Sequence, residues 1–327
     1  MSAKIGRPGV AIQATKLVRE FNGVRAVDEV DLEIHEGEIY GFLGPNGAGK
    51  STTVRMLCTL LAPTSGQAVV AGYDVVTDPG AVRLRIGVAL QEASLDPKQT
   101  GEELLRLQGR LYGMTKAVAR ARAEELGELI DIGDALQRPI ATYSGGMRRR
   151  LDLAAALVHN PGLLFLDEPT TGLDPVSRAR VWEEVSRLNR EWGVTIFLTT
   201  QYLEEADALA DRVGIIDAGR IVAEGTSTEL KKAIGTDVII VRVEGDTSIA
   251  APAVDAVDGV LQVEVRGHEL VVSTTDGPAT VSGVAVALSK CGTKVRDLTL
   301  RSPTLDDVFL ELTGNRFEHE DDREATR

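Results

Sequence analysis

Cysteine and histidine are scarce in this sequence of 327 residues, which contains two cysteines and four histidines. Cys58 and Cys291 lie far apart and belong to no spaced motif, and the histidines are scattered along the chain. This distribution argues against a disulfide scaffold and against a zinc site, and it favours a reducing compartment.

Long apolar segments are missing as well. The candidate apolar stretches are short: 163–166 and 238–241 have four residues each, and the stretch 281–288 is interrupted by Ser282 and Gly283. About 18 uninterrupted apolar residues are needed to span a bilayer. The first ten residues contain no apolar core of a signal peptide. We therefore expect a soluble protein that is not secreted by that route and that needs a partner if it works at a membrane.

Positive charge is in deficit. Lysine and arginine total 36 against 49 aspartates and glutamates, which gives a net charge of −13. A surface of this sign argues against non-specific binding of nucleic acid and against direct docking on an anionic membrane. The hydrophobic fraction of 43% and the charged fraction of 26% are those of a folded protein, and the length suggests two domains.

Strand and helix patterns alternate over the first part of the chain, up to about residue 235. The continuous apolar run 163–166 is typical of a central parallel strand that is covered on both faces. These patterns predict an α/β fold. The predicted strands are 30–34, 39–43, 86–90, 163–166 and 195–198, the predicted helices are 50–61, 100–133 and 176–191, and a hairpin is predicted over 215–222.

A different pattern begins near residue 236. Strands are predicted over 237–243, 260–265, 269–273 and 293–300, and helices over 248–257 and 279–290. Their order is β-α-β-β-α-β, which predicts a small α+β domain of the ferredoxin-like type over 236–313. A short amphipathic helix over 304–312 closes this domain, and a polar tail follows over 314–327.

The first chemical motif is a glycine-rich loop. Residues 44–51 read GPNGAGKS and match the pattern G-x-x-x-x-G-K-[ST] of a P-loop. Backbone N–H groups of such a loop surround phosphate oxygens, Lys50 reaches the β- and γ-phosphates, and the Ser51 hydroxyl binds Mg²⁺. The predicted nucleotide-binding residues are Gly44, Pro45, Asn46, Gly47, Ala48, Gly49, Lys50, Ser51 and Thr52.

The second motif is the run 163–168, LLFLDE, in which four apolar residues lead into two carboxylates. In a chain that also has a P-loop, Asp167 is predicted to hold Mg²⁺ through water. Glu168 is predicted to polarise the water that attacks the γ-phosphate. Adjacent side chains at a strand end point in different directions, so one can serve the metal and the other the water.

Further motifs give these two a specific context. Residues 143–147, YSGGM, lie just before the second motif, Gln91 follows the predicted strand 86–90, and 172–175 read GLDP. In this order over about 200 residues, they resemble the signature, the Q-loop and the D-loop of ATP-binding cassette (ABC) proteins. The resemblance implies an ABC ATPase core over 1–235, with a helical subdomain over about 92–160.

The resemblance also implies roles for individual residues. Phe21 would stack on adenine, Gln91 would join Ser51 and Asp167 at the metal, and Asp174 would lie in the D-loop. The residues implied to contact the ATP of a partner subunit are Ser144, Gly145, Gly146 and Met147. Because one chain has one P-loop and one signature, it must dimerise or pair with a second cassette, and the resemblance implies a second copy in a head-to-tail dimer. The other implied partner is an integral membrane permease that holds the chain at the cytoplasmic side of the cell membrane.

One position departs from the usual cassette pattern. Gln201 stands where these proteins usually have a histidine that contacts the γ-phosphate. An amide can donate a hydrogen bond to phosphate but carries no charge. With the run 141–150 and the segment 305–310, LDDVFL, Gln201 makes the sequence similar to the ABC ATPases of the daunorubicin/doxorubicin-resistance type. The predicted catalytic residues are Glu168, at the end of the run 163–168, and Gln201, at the position of this histidine.

This resemblance implies the ATPase subunit of a two-component exporter of drugs, antibiotics or lipid-like compounds. The alternatives are an importer ATPase with a regulatory C-terminal domain and an ABC ATPase without a transport role. Two smaller interpretations follow from the pattern alone. The arginines 148–150 are taken as a solvated helix face, and the segment 305–310 as a helix that packs on its own domain.

Overall fold

The computed structural model describes Arg7 and residues 9–91, 95–244 and 247–313. Two compact units divide the chain between Ser227 and Thr228. Within the described residues, no helix is both long enough and apolar enough to cross a membrane.

The described part of the first unit contains ten strands in two sheets. Five strands of the larger sheet are parallel, and its antiparallel edge strand is β10, in the order β10-β9-β3-β8-β7-β6. The strands are β1 (Val10–Phe21), β2 (Val24–His35), β3 (Ile39–Leu43), β4 (Ser65–Val70), β5 (Tyr73–Asp74), β6 (Ile86–Ala89), β7 (Leu163–Asp167), β8 (Thr195–Thr200), β9 (Arg212–Asp217) and β10 (Arg220–Gly225).

Among the described residues, seven helices lie in this unit, and an eighth begins at its last residue, Ser227. They are α1 (Lys50–Leu57), α2 (Pro79–Arg83), α3 (Gly101–Leu111), α4 (Lys116–Leu129), α5 (Gly145–Ala156), α6 (Pro175–Trp192), α7 (Leu203–Leu209) and α8 (Ser227–Ile234). Short 3-10 turns lie at Gly133–Gln137 and Ile140–Thr142.

The parallel sheet positions the candidate site. Every residue of β3, β7 and β8 is buried, as the apolar run 163–166 predicts for a strand covered on both faces. Ends of neighbouring parallel strands lie at the same edge of a sheet, so the loops after β3, β6, β7 and β8 meet there. These loops carry the P-loop, Gln91, Glu168 and Gln201.

The smaller sheet is antiparallel, with the order β2-β1-β4-β5. Of its strands, only the segment 30–34 was predicted from the sequence. Ile12, Leu17 and Val30 from this sheet pack in one core with Met56 of α1 and Phe42 of β3. The antiparallel sheet therefore supports the helix that follows the P-loop.

Two predicted helices end earlier or break. Helix α1 ends at Leu57 rather than at 61, because Thr59 has a left-handed backbone (φ +63°) and the next two N–H groups bond the Arg55 carbonyl. The predicted helix 100–133 is two helices. Gly113 (φ +84°) ends the first helical segment, and Thr115 caps α4 by accepting from the Val118 N–H.

The second unit has its own core and sheet. Its strands pair antiparallel in the order β12-β13-β11-β14, which is the strand order of a ferredoxin-like fold. The predicted fold class, an α/β core with a helical part followed by a small α+β domain, is thus confirmed. The elements are β11 (Asp237–Glu244), α9 (Thr247–Asp255), β12 (Val260–Arg266), β13 (Glu269–Thr274), α10 (Gly277–Lys290), β14 (Lys294–Arg301) and α11 (Leu305–Thr313). The predicted tail 314–327 lies outside the described residues.

A buried glutamate in the first unit predicts how stability changes with pH. Glu184 of α6 lies 3.9 Å from Arg150, and its Oε2 atom is buried without a hydrogen-bond partner. Burial raises the pKa of this carboxyl to about 7, against the attraction of Arg150. Glu184 loses its proton at a lower pH in the unfolded chain than in the folded chain. The free energy of unfolding therefore falls as the pH rises from about 4.5 to about 7, and it stays reduced at higher pH.

We therefore expect Glu184→Gln to raise the free energy of unfolding at pH 8 by about 1–3 kcal/mol, and by less at pH 5. Urea denaturation of the full chain at the two pH values measures this difference. Glu183→Gln is the matched control, because Glu183 lies exposed on the same helix. An equal effect of Glu184→Gln at both pH values would contradict the assignment.

Candidate functional site

The P-loop lies between β3 and α1 and leads directly into the helix. Gly49 is the N-cap of α1 and has φ +106°. A Cβ atom at Gly49 would lie 2.4 Å from the Ala26 carbonyl oxygen, so both the backbone conformation and the available space require glycine. The first N–H groups of a helix have no partner within the helix and point out of its N-terminal end. In α1 that end faces the loop, as a phosphate site needs.

Lys50 is the first residue of α1, and its side chain is 4% exposed. Its Nζ atom donates to the carbonyl oxygens of Gly44 at 2.7 Å and Pro45 at 3.1 Å, and it forms an ion pair with Glu168 at 3.2 Å. Burial lowers the pKa of Lys50, and the attraction of Glu168 opposes that shift. The lysine and Glu168 thus neutralise each other inside the site.

Asp167 lies at the end of β7, and its carboxylate faces the P-loop. Its Oδ1 atom accepts from the Ser51 hydroxyl at 3.3 Å and from the Thr199 hydroxyl at 2.6 Å. The structure therefore brings together two of the three predicted metal ligands, Ser51 and Asp167. Among the described residues, no group of three His, Cys, Asp or Glu side chains is placed to hold a metal.

Glu168 has a left-handed backbone (φ +47°), and its carboxylate bonds other partners than the Asp167 carboxylate does. Its N–H group donates to both the carbonyl and the hydroxyl of Thr199. Its Oε2 atom accepts from the Gln91 amide at 3.1 Å and from the Thr171 hydroxyl at 3.3 Å. Gln91, the third predicted metal ligand, thus bonds Glu168.

The signature residues begin α5. Ser144 is the N-cap, and its hydroxyl accepts from the Met147 N–H at 3.2 Å. A Cβ atom at Gly146 would lie 3.0 Å from the Ser177 hydroxyl, so the signature lies against the start of α6. Asp174 is the N-cap of α6, and its bonds to Ser177 lower the pKa of its carboxyl. The signature and the D-loop are therefore neighbours in one chain.

Two predicted residues lie at more open positions. Phe21 ends β1, is 42% exposed and has the Arg19 guanidinium 4.5 Å from the centre of its ring. Core packing therefore does not account for this aromatic side chain. Gln201 follows β8 and is half-buried, and the N-cap of the next helix, α7, is Tyr202 without a side-chain cap. Helix capping therefore does not account for Gln201.

A buried glutamate below Gln201 was missed in the sequence. Glu205 of α7 is fully buried, and its Oε1 atom accepts from Thr170 at 2.8 Å and from Trp182 at 2.9 Å. Burial raises the pKa of this carboxyl, against those two hydrogen bonds and one from Thr200. Glu205 thus joins α7 to the segment between Glu168 and the D-loop and to α6. In the sequence, Glu205 could be noticed only by its spacing, four residues after Gln201, which is the spacing of two residues on the same side of a helix.

The interpretation of arginines 148–150 as a solvated helix face is wrong for two of them. Arg150 is buried and donates to the carbonyl oxygens of Ile130 at 2.6 Å and Asp131 at 2.9 Å. The Arg149 side chain is 11% exposed and is bonded to four acceptors. Only Arg148 is exposed. These contacts could not be predicted from the three consecutive arginines, because a run of identical residues does not show which of them face inward.

Comparison with known proteins gives this geometry a family. Residues 27–171 match the family model described as ABC transporter. Residues 225–313 match the model described as ATP-binding protein DrrA1-3-like, C-terminal domain. The matches cover the P-loop, the signature and the second unit.

Relatives and solved structures agree with the two models. The chain is 48% identical to the daunorubicin/doxorubicin resistance ATP-binding protein DrrA of Streptomyces peucetius, over 98% of this chain and 97% of the relative. It is 37% identical to the linearmycin resistance ATP-binding protein LnrL of Bacillus subtilis, over 93% and 98%. The dimeric bacterial ABC transporter cassette MJ0796 superposes with a TM-score of 0.61 at 25% identity, over 66% of this chain and 98% of that chain.

The fold and the site thus define a P-loop ATPase of the ABC transporter class. Within that class, the chain belongs to the family of daunorubicin and doxorubicin resistance ATP-binding proteins. It binds and hydrolyses ATP, as the sequence resemblance predicted. ATP-binding domains of this class form dimers and pair with membrane subunits.

Proposed function

We propose that this chain is the subunit that powers efflux of drugs, antibiotics or lipid-like compounds through a separate membrane subunit, at the cytoplasmic side of the cell membrane. The observation that carries the proposal is the 48% identity to a daunorubicin/doxorubicin resistance protein over 98% of the chain, including the second unit. The linearmycin resistance relative supports the same direction of transport. Neither the importer nor the non-transport alternative has such support.

The test is to purify the chain with its membrane subunit in lipid vesicles and to add anthracyclines, polyenes or amino acids. We expect hydrophobic drugs to raise the ATPase rate of the complex. We also expect them to accumulate on the side of the membrane opposite to the ATP-binding subunit. Amino acids serve as the control for the importer alternative. Stimulation by amino acids alone, or ATPase activity that no transported compound changes, would contradict efflux.

We assign binding of ATP to the loop 44–52 and to Phe21. Lys50 bonds two loop carbonyls and Glu168, and phosphate oxygens offer the same ammonium group stronger, charged acceptors. Ser51 and Asp167 are the residues that would hold Mg²⁺, because a hydroxyl and one carboxylate, with phosphate and water, form the usual Mg²⁺ shell. When bound, the metal would neutralise charge on the phosphates.

We assign the activation of water to Glu168. Its carboxylate is buried, is held by Gln91 and Thr171, and pairs with Lys50. Once Lys50 turns to phosphate, Glu168 is free to accept a proton from water, while Gln91 and Thr171 keep the carboxylate in place. We further propose that Ser144, Gly145, Gly146 and Met147 contact the ATP of a second copy in a head-to-tail dimer. The exposed start of α5 supports this role, because Ser144 and Gly145 are exposed and the first N–H groups of a helix have no partner within the helix.

We assign to Gln201 a neutral hydrogen bond to the γ-phosphate, which makes a weaker bond than a protonated histidine would. Gln201→Ala is therefore expected to lower hydrolysis by about 10-fold and to leave ATP affinity nearly unchanged, because the contact matters most in the transition state. Gln201→His should keep activity and can acquire a pH dependence near 6.5.

The measurement is the rate of ATP hydrolysis from pH 6 to pH 8 and the ATP affinity, both with the membrane subunit present. Tyr202→Phe is a control at the next position, because it keeps the ring that lies near the Arg178 guanidinium. A normal rate in Gln201→Ala would remove Gln201 from the catalytic residues.

A further inference from the structure

Arg149 makes an unusual set of contacts for a residue of the signature helix α5. Its Nε atom donates to the Pro169 carbonyl at 3.0 Å, one terminal nitrogen donates to the Leu90 carbonyl at 2.6 Å, and the other donates to the Asp167 carbonyl at 3.0 Å. The nitrogen on Leu90 also pairs with Asp152 at 3.2 Å. All three nitrogens of the guanidinium group are thus occupied.

The positions of the three carbonyls connect this contact to the catalytic site. Asp167 and Pro169 are the residues on either side of Glu168, and Leu90 directly precedes Gln91. One guanidinium therefore holds the backbone around Glu168 and the backbone that leads into Gln91. The Gln91 amide and the Glu168 carboxylate lie 3.1 Å apart between these points.

Packing and hydrogen bonding indicate that these contacts are maintained. The Arg149 side chain is 11% exposed, so loss of one contact would leave a buried charge with unpaired donors. Burial raises the pKa of its partner Asp152 to about 6, although Arg149 opposes that rise. Only a planar fork reaches three separated carbonyls at once, since a lysine presents its three donors from a single point.

We propose that Arg149 is a positioning residue for ATP hydrolysis, which acts through the backbone to set the Gln91 amide against the Glu168 carboxylate and couples both to the signature helix. The proposal rests on the role of Glu168 proposed above. Arg149 touches neither carboxylate oxygen of Glu168, so its effect should fall on the rate of hydrolysis rather than on nucleotide affinity.

The experiment compares Arg149→Met, Arg149→Lys and Arg150→Met in the full chain assembled with its membrane subunit. Arg150→Met is the matched control, because Arg150 is the next residue of the same helix, is also buried and bonds backbone carbonyls far from Glu168. The measured quantities are kcat, KM, the affinity for a fluorescent ATP analogue and the melting temperature.

We expect Arg149→Met to lower kcat by about 10–100-fold with nucleotide affinity within about threefold, since small displacements of catalytic groups have effects of this size. Arg149→Lys should recover part of kcat. Arg150→Met should lower the melting temperature and keep kcat within about threefold of wild type. A wild-type kcat in Arg149→Met or Arg149→Lys, or an equal loss of kcat in Arg150→Met, would overturn the proposal.

The double variant Arg149→Met/Glu168→Gln separates this proposal from the role of Glu168. If Arg149 acts through Glu168, its replacement should lower the remaining rate by less than about threefold, because residues that act as one unit are not additive. A full additional loss would overturn the coupling. A wild-type rate in Glu168→Gln alone would instead refute the role of Glu168, whatever Arg149→Met does.

Discussion

Replacing Glu168 by glutamine should lower kcat for ATP hydrolysis by about 10²–10⁴-fold, the loss typical of a positioned general base. Glutamine is nearly the same size, and its side-chain oxygen can still accept from Gln91 and Thr171 as Glu168 does. ATP affinity should remain close to wild type, because Lys50 and the loop keep their contacts with phosphate. The variant should therefore accumulate as an ATP-bound dimer.

The measurements are single-turnover hydrolysis by the chain assembled with its membrane subunit, and size-exclusion chromatography of the full chain alone with and without ATP. Glu204→Gln is the control, since Glu204 is an exposed glutamate near the same edge of the sheet. Hydrolysis at the wild-type rate would show that Glu168 does not activate the water. A loss of ATP binding would show that the pairing of Glu168 with Lys50 serves affinity.

Mixing two inactive variants should restore hydrolysis if the dimer is head-to-tail. Lys50→Ala removes the phosphate ligand of the P-loop. Ser144→Asp keeps a good N-cap for α5 and places a negative charge toward the phosphate of the partner's ATP. Each variant alone should lose about 10²-fold or more in rate, because each site lacks one charge-stabilising contact.

Random pairing of the two variants makes half of the dimers mixed, and each mixed dimer has one intact site and one site with both changes. The mixture should therefore reach about a quarter of the wild-type rate. Thr115→Asp is the control, because it adds the same charge at the exposed N-cap of α4. A mixture no more active than either variant would contradict the head-to-tail arrangement, and an active Ser144→Asp would contradict the role of the signature.

Motifs that are continuous in sequence were predicted well. The loop 44–51 lies between a buried strand and a helix, as its glycines and the apolar run 39–43 predict. Asp167 and Glu168 follow a central strand for the same reason. The seven elements from β11 to α11 were also predicted, because the alternation of apolar residues is regular there and the turns are short.

Features that depend on distant neighbours were missed or misjudged. Thr199 bonds both Asp167 and the Glu168 backbone, but a threonine in an apolar strand has no sequence signal for that role. Strand β1 was not predicted, because its burial depends on pairing with β2 and β4 on either side. The break at Gly113 was missed because helical spacing of leucines continues up to Leu111.

The sequence by itself determined the class of chemistry, because a phosphate loop, a strand ending in two carboxylates and a signature each need only local geometry and a fixed spacing. The tertiary structure alone decided which side chains support that chemistry. Parallel strands distant in sequence end at one edge of the sheet, and only there do Gln91 and Glu168 meet. The same packing turns Arg149 inward and leaves Arg148 exposed, a choice that three consecutive arginines cannot reveal.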